Sequence, residues 1–69
     1  MTPWTEQDFD DDTWERLCKA RKHNDITTWY RLLRERCGYT PGRWQLRTQI
    51  EELVDDWLRR HPSWTGRFM

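Results

Sequence analysis

Leu46, Ile50, Leu53 and Trp57 recur at intervals of four, three and four residues between Pro41 and Pro62. That spacing returns apolar side chains to one face of a helix, and no strand alternation reproduces it. Thr40-Pro41 reads as an N-cap followed by proline at the first helical position, and Pro62 stops the helix at His61 or earlier. The spacing predicts a helix over about residues 43–60, its stripe widened by Val54 and Leu58. Glu52, Asp55 and Asp56 fall on the solvent side. Asp55–Arg59 and Asp56–Arg60 are i,i+4 pairs, each worth a few tenths of a kcal/mol.

Two shorter helices precede it. Asp25 is a good N-cap and Gly38 a good residue to follow a helix end, which predicts a helix over about 26–37. Ile26, Trp29, Tyr30, Leu33 and Cys37 lie within about a 100° arc of it, with Leu32 opposite, beside Thr28 and Arg36. The first helix is expected over about 13–22, with Asp12 as N-cap and Glu15 at capping-box spacing. Trp14, Leu17 and Cys18 form its apolar face, with Ala20 beside them. The acidic cluster ahead of it suits the positive end of a helix dipole. Whether Thr5 and Asp8 cap an earlier turn carrying Phe9 stays open.

No segment alternates long enough to argue a strand. The expectation is therefore all-α: one compact three-helix domain spanning 1–69, with irregular N- and C-terminal tails. Leu17, Trp29, Leu33, Ile50, Leu53, Val54 and Trp57 are the expected shared core. Hydrophobic and charged residues each make up 35% of the 69 residues, which raises disorder as an alternative. Disorder goes with few aromatics and high net charge. Here aromatics reach 14% and formal net charge is zero, so a folded domain is the better reading. A core this thin invites self-association. A symmetric homodimer burying Leu32 or the edge of the third-helix stripe would supply area.

Twelve basic residues balance twelve acidic ones, which removes the simplest argument for nucleic acid. The charge is uneven all the same. Residues 6–15 carry Glu6, Asp8, Asp10, Asp11, Asp12 and Glu15 and no base; from Arg16 to Arg36 the bases dominate. No apolar run approaches a membrane span or a signal-peptide core, and residues 1–6 hold no basic leader. The expectation is a soluble cytoplasmic protein without membrane contact.

Cys18 and Cys37 occupy apolar-face positions. In an antiparallel hairpin turning near Asn24 they lie about 10 Å apart along the axis, too far for a disulfide, so free thiols are expected. Cys18, His23, Cys37 and His61 lack the tight ligand pair of a zinc site, and their other reading is core thiols and helix-end imidazoles. No metal or cofactor is expected. Ser63 near His61 lacks a third group to orient the pair, and Gly38, Gly42 and Gly66 make no phosphate loop. These features argue against an enzyme and against a small-molecule substrate.

Residues 27–36, Thr-Thr-Trp-Tyr-Arg-Leu-Leu-Arg-Glu-Arg after a short turn, resemble the recognition helix of helix-turn-helix proteins. The resemblance implies groove contacts by Thr27, Thr28 and Arg31, with Arg34 and Lys22 on phosphates. The turn lacks the usual central glycine, and of Lys19 and Ala20 only Ala20 suits the small-residue position. The other reading is that these bases solvate the flanks of an amphipathic helix.

Six tryptophans carry the remaining signal, since tryptophan is enriched at binding hot spots. Trp4, Trp64 and Phe68 lie near the termini, rimmed by Arg59, Arg60 and Arg67. Either they fold back to close the bundle or they anchor a protein partner. The leading expectation is a small non-enzymatic regulator, adaptor or inhibitor, on the scale of phage- or plasmid-type accessory proteins, binding a larger protein through these Trp/Arg anchors. The alternative is a helix-turn-helix-like DNA-binding regulator using the second helix.

Overall fold

The chain enters its first helix through a short 3₁₀ turn at Glu6–Asp8, in a computed structural model that describes residues 5–64. Thr5 and Asp8 form a capping box there, and the turn delivers Phe9 into the core, stacked on Trp14 at 5.9 Å. Helix α1 then runs Asp11–Lys22. Its N-cap is Asp10, whose carboxylate accepts from the Thr13 N–H at 3.2 Å, and this corrects the assignment to Asp12. Starting two residues earlier puts Asp11 and Asp12 in the first turn, where the helix dipole favours them. Asp12 instead accepts from Arg16 at 3.0 Å and from Arg36.

Helix α2, Ile26–Arg36, begins at the expected Asp25 cap. The connection is tight because Asn24 adopts φ +56°. Asn24 N–H returns to the Arg21 carbonyl and Asp25 N–H to the Ala20 carbonyl at 2.8 Å, a paired closure that left-handed residues make at helix ends. Cys37 ends α2 as its C-cap, one residue sooner than expected. Gly38 at φ +74° lets Tyr39 N–H reach the Leu33 carbonyl, and Tyr39 is buried.

Helix α3 spans Trp44–Arg60. Thr40-Pro41 does not cap it. Arg43 N–H donates to the Thr40 carbonyl at 2.8 Å, so Pro41 and Gly42 are the centre of a turn, the place proline favours. Arg43 is the N-cap, and its side chain makes no capping hydrogen bond to the helix.

Helix α1 packs along both α2 and α3, and no described residue lies in a strand. Leu17, Leu33, Ile50 and Val54 are fully enclosed, with Trp14, Trp29, Leu46 and Trp57 around them. Leu53 only packs against this cluster, half-buried. Leu32 corrects the expectation most sharply. It is 4% exposed, whereas Ile26, placed on the apolar arc, is 59% exposed. The buried arc of α2 thus runs from Leu32 through Trp29 to Leu33, rotated toward α1 from the arc that the apolar residues alone define.

At one end of the bundle four aromatic rings form a ladder. Phe9 stacks on Trp14, Trp14 meets Trp57 edge-on at 6.0 Å, and Trp57 meets Trp64 edge-on at 5.4 Å. His61 stacks on Trp57 at 4.1 Å, its Nδ1 2.9 Å from the Trp57 carbonyl oxygen.

Candidate functional surfaces

Trp44, Arg47, Glu51 and Asp55 share about an 80° arc on one flank of α3. Three of the four are tied into the fold. Asp55 accepts two hydrogen bonds from Arg21 of α1, at 2.8 and 2.9 Å, in place of the expected pair with Arg59. Glu51 lies 3.9 Å from Arg21 and 3.6 Å from Arg47, and Arg47 donates to the Tyr30 hydroxyl at 3.1 Å. The Arg21 guanidinium also sits 5.5 Å from the Trp29 ring centroid, a cation–π distance. The Asp55 hydrogen bond raises the Arg21 pKa, and the Tyr30 hydrogen bond raises that of Arg47. A shallow groove of about 150 Å³ lies over this network, walled by Ile26, Trp29, Tyr30, Arg21 and Glu51.

Trp44 has no such tie. It is 58% exposed, while Trp14, Trp29 and Trp57 are each below a tenth. It stands in an unbroken exposed run from Thr40 through Gln45. Arg43 beside it donates to the Gly38 carbonyl at 3.3 Å.

The tail anchors expected from the sequence separate. Trp64 is half-buried against Trp57, and Lys22 reaches over it, its ammonium 5.6 Å from the ring centroid and donating to the Trp64 carbonyl. Arg59 and Arg60 are exposed, each about 3 Å from Asp56. Trp4, Arg67 and Phe68 lie outside the described residues. Leu53 and Leu58, at the edge of the α3 stripe, are half-buried. They are what remains to offer a second copy once Leu32 is buried.

The second set divides differently. Thr27, Arg31 and Arg34 are exposed on the outward face of α2. Thr28 is turned back, its hydroxyl donating to Asp25 at 2.7 Å, and Lys22 is engaged by Trp64. Asn24 supplies the left-handed residue for which the sequence shows no glycine, and Ala20 is buried four residues before it.

Cys18 and Cys37 are both buried, and neither is in a disulfide. Burial pushes the Cys37 thiol up to about 11. His23 and His61 sit apart, as the C-caps of α1 and α3. Among the described residues no three His, Cys, Asp or Glu side chains are grouped to hold a metal, and no helix is long and apolar enough to cross a membrane. The residue that sequence reasoning missed is Trp44, and its helical phase was the available signal: about 140° around α3 from Trp57.

Compared with protein-family profiles, characterised proteins and solved structures, the chain matches none.

Proposed function

We propose that this is a non-enzymatic protein-binding domain, a regulator, adaptor or inhibitor, whose principal anchor is Trp44. The exposure of that indole carries the reading. Tryptophan gains more than other side chains from burial at an interface, and at this position the fold leaves more than half of the side chain uncovered. The Thr40–Gln45 run presents it on a turn fixed by Pro41 and by Arg43, and Arg43 is placed as a polar rim. Ile26 and Tyr30 on the neighbouring groove wall offer further apolar area. Trp64, with Arg59 and Arg60, is a secondary element at the opposite end of α3, its ring already in use against Trp57. A cytoplasmic site of action suits two buried cysteines that form no disulfide.

The test is affinity capture from host lysate by the parent chain and by Trp44→Ala, with nuclease treatment in parallel. The expected result is a protein partner that survives nuclease and is lost with Trp44→Ala, while the melting temperature is unchanged. Capture that ignores the substitution, or that nuclease abolishes, rejects the reading.

A further inference from the structure

The basic side chains sort into two groups that the sequence does not distinguish. Arg16, Arg21, Arg36, Arg47, Arg59 and Arg60 each have a carboxylate oxygen within 4.0 Å. Among the described residues, Arg31, Arg34, Arg43, Lys19 and Lys22 form no ion pair, and of these Arg43 bonds the Gly38 carbonyl and Lys22 the Trp64 carbonyl. Arg31 and Arg34 lie with Thr27 in about a 60° arc of α2, facing solvent. No acidic residue occurs between Ile26 and Arg34. Two carboxylates flank the arc. Asp25 is held by its cap on the Thr28 N–H and hydroxyl, where Arg31 also helps to lower its pKa, and Glu35 lies about 40° beyond Arg31. On that same side, toward the start of α2, Lys19 and His23 at the end of α1 line a concave strip of about 360 Å³ with Arg16, Asp25 and Thr28. Zero net charge therefore conceals a dipolar surface. Most described arginines pair with carboxylates within the fold; of the three that do not, Arg31 and Arg34 share the outward face of α2, and Arg43 stands apart at the head of α3.

We infer that the outward face of α2, with Lys19 at the end of α1, is a second binding surface, for the phosphate backbone of a nucleic-acid duplex. The arc consists of one hydroxyl and two guanidinium groups and presents no apolar side chain. A membrane-surface helix needs an apolar face to insert, and the core of a protein interface is built on aromatic and apolar side chains that this arc lacks. A polyanion needs neither, because release of its condensed counterions drives binding on its own. Guanidinium groups pair with phosphate through two parallel hydrogen bonds, and the Thr27 hydroxyl can donate to a third oxygen. Lys22 is excluded from this set by its engagement with Trp64, and Thr28 by its bond to Asp25. The surface is separate from Trp44 and does not rest on the protein-binding reading.

Fluorescence anisotropy with a short labelled DNA duplex tests it across roughly 50 to 200 mM salt. With three contacts from Lys19, Arg31 and Arg34, log affinity is expected to fall by about 2.7 per tenfold salt, at about 0.9 per contact. The Arg31→Ala/Arg34→Ala variant should lose about 1.8 of that slope, and Lys19→Ala about 0.9. Arg59→Ala/Arg60→Ala removes the same formal charge from arginines paired with Asp56 and should leave the slope unaltered, as should Trp44→Ala. No binding at the lowest salt overturns the inference. So does an equal loss from both arginine pairs, or equal affinity for phosphatidylserine vesicles. Circular dichroism of each variant confirms that the helices are intact.

Discussion

Trp44 and Trp57 are the same residue type on the same helix, and they do opposite things. Trp57 is 9% exposed and touches three other rings, Trp14, Trp64 and His61. Trp44 is 58% exposed at the head of the helix. The thirteen helical steps between them turn the second indole about 140° from the first. One end of the molecule is thus closed by a ladder of rings drawn from the 3₁₀ turn, α1, α3 and the segment after it. The other end leaves its indole on an exposed proline–glycine turn. In a chain with so much of its apolar surface in tryptophan, an exposed one forgoes stability that a core position would supply. That is the physical reason for proposing Trp44 as a binding residue, whereas Trp57 belongs to the core.

Substitution at the two positions gives the widest separation. Trp57→Ala is expected to cost about 3 to 5 kcal/mol, enough to unfold a domain of this size, with loss of the helical circular dichroism signal. Trp44→Ala should change stability by less than about 0.5 kcal/mol. Equal melting temperatures for the two variants would break the comparison. Leu32→Ala comes next, at about 2 to 5 kcal/mol for an enclosed leucine. Urea denaturation that finds Leu32→Ala neutral would restore the outward orientation expected from the sequence and reopen Leu32 as a dimer contact.

That case shows where the sequence is legible. The three helices, the Asp25 cap and the stripe of α3 follow from local rules acting over three or four residues. The face that α2 buries does not, because it depends on where α1 lies. A guess from the apolar residues alone includes Ile26, which stays mostly exposed, and omits Leu32, which the core encloses. Asp55 carries the same lesson. Its i,i+4 partner Arg59 is legible from spacing, yet its observed partner is Arg21, far away in sequence. The tail aromatics were readable only as two alternatives, and Trp64 packing on Trp57 illustrates one of them. Trp44 escaped notice because it sits just ahead of the strongest apolar stripe in the chain, a few residues out of phase with it.

The Arg21–Asp55 link sharpens the comparison on a smaller scale, since it braces α1 against the flank that carries Trp44. Both side chains are partly exposed, at 35% and 47%, so the solvent screens much of their attraction. A double-mutant cycle on Arg21→Ala and Asp55→Ala should give a coupling of about 0.5 to 1 kcal/mol. Arg21→Ala alone should cost more than Asp55→Ala, because it also uncovers the Trp29 ring. A coupling indistinguishable from zero would mean that packing alone holds this flank.

The smallest effect concerns the helix starts. α1, entered beside the aromatic ladder, and α2 both begin at aspartate caps, whereas α3, headed by Trp44, has none. The Thr13 hydrogen bonds hold the Asp10 carboxyl below its usual range, and the Thr28 hydrogen bonds do the same for Asp25. Asp12 is lowered by its hydrogen bonds from Arg36 and Arg16. A carboxyl whose folded pKa is depressed contributes stability above its unfolded value, and that contribution is lost as pH falls through the folded one. Melting temperature should therefore fall as pH drops below about 4 to 5. Asparagine caps helices nearly as well as aspartate and does not titrate there. Asp10→Asn/Asp25→Asn should start slightly less stable at neutral pH, having lost the charge that faces each helix dipole, and then decline less steeply in acid. Asp12, untouched in that variant, should account for part of the remaining slope, which adding Asp12→Asn should flatten further. Parallel melting profiles for the parent and the double cap variant would show that the acid sensitivity arises elsewhere in the chain.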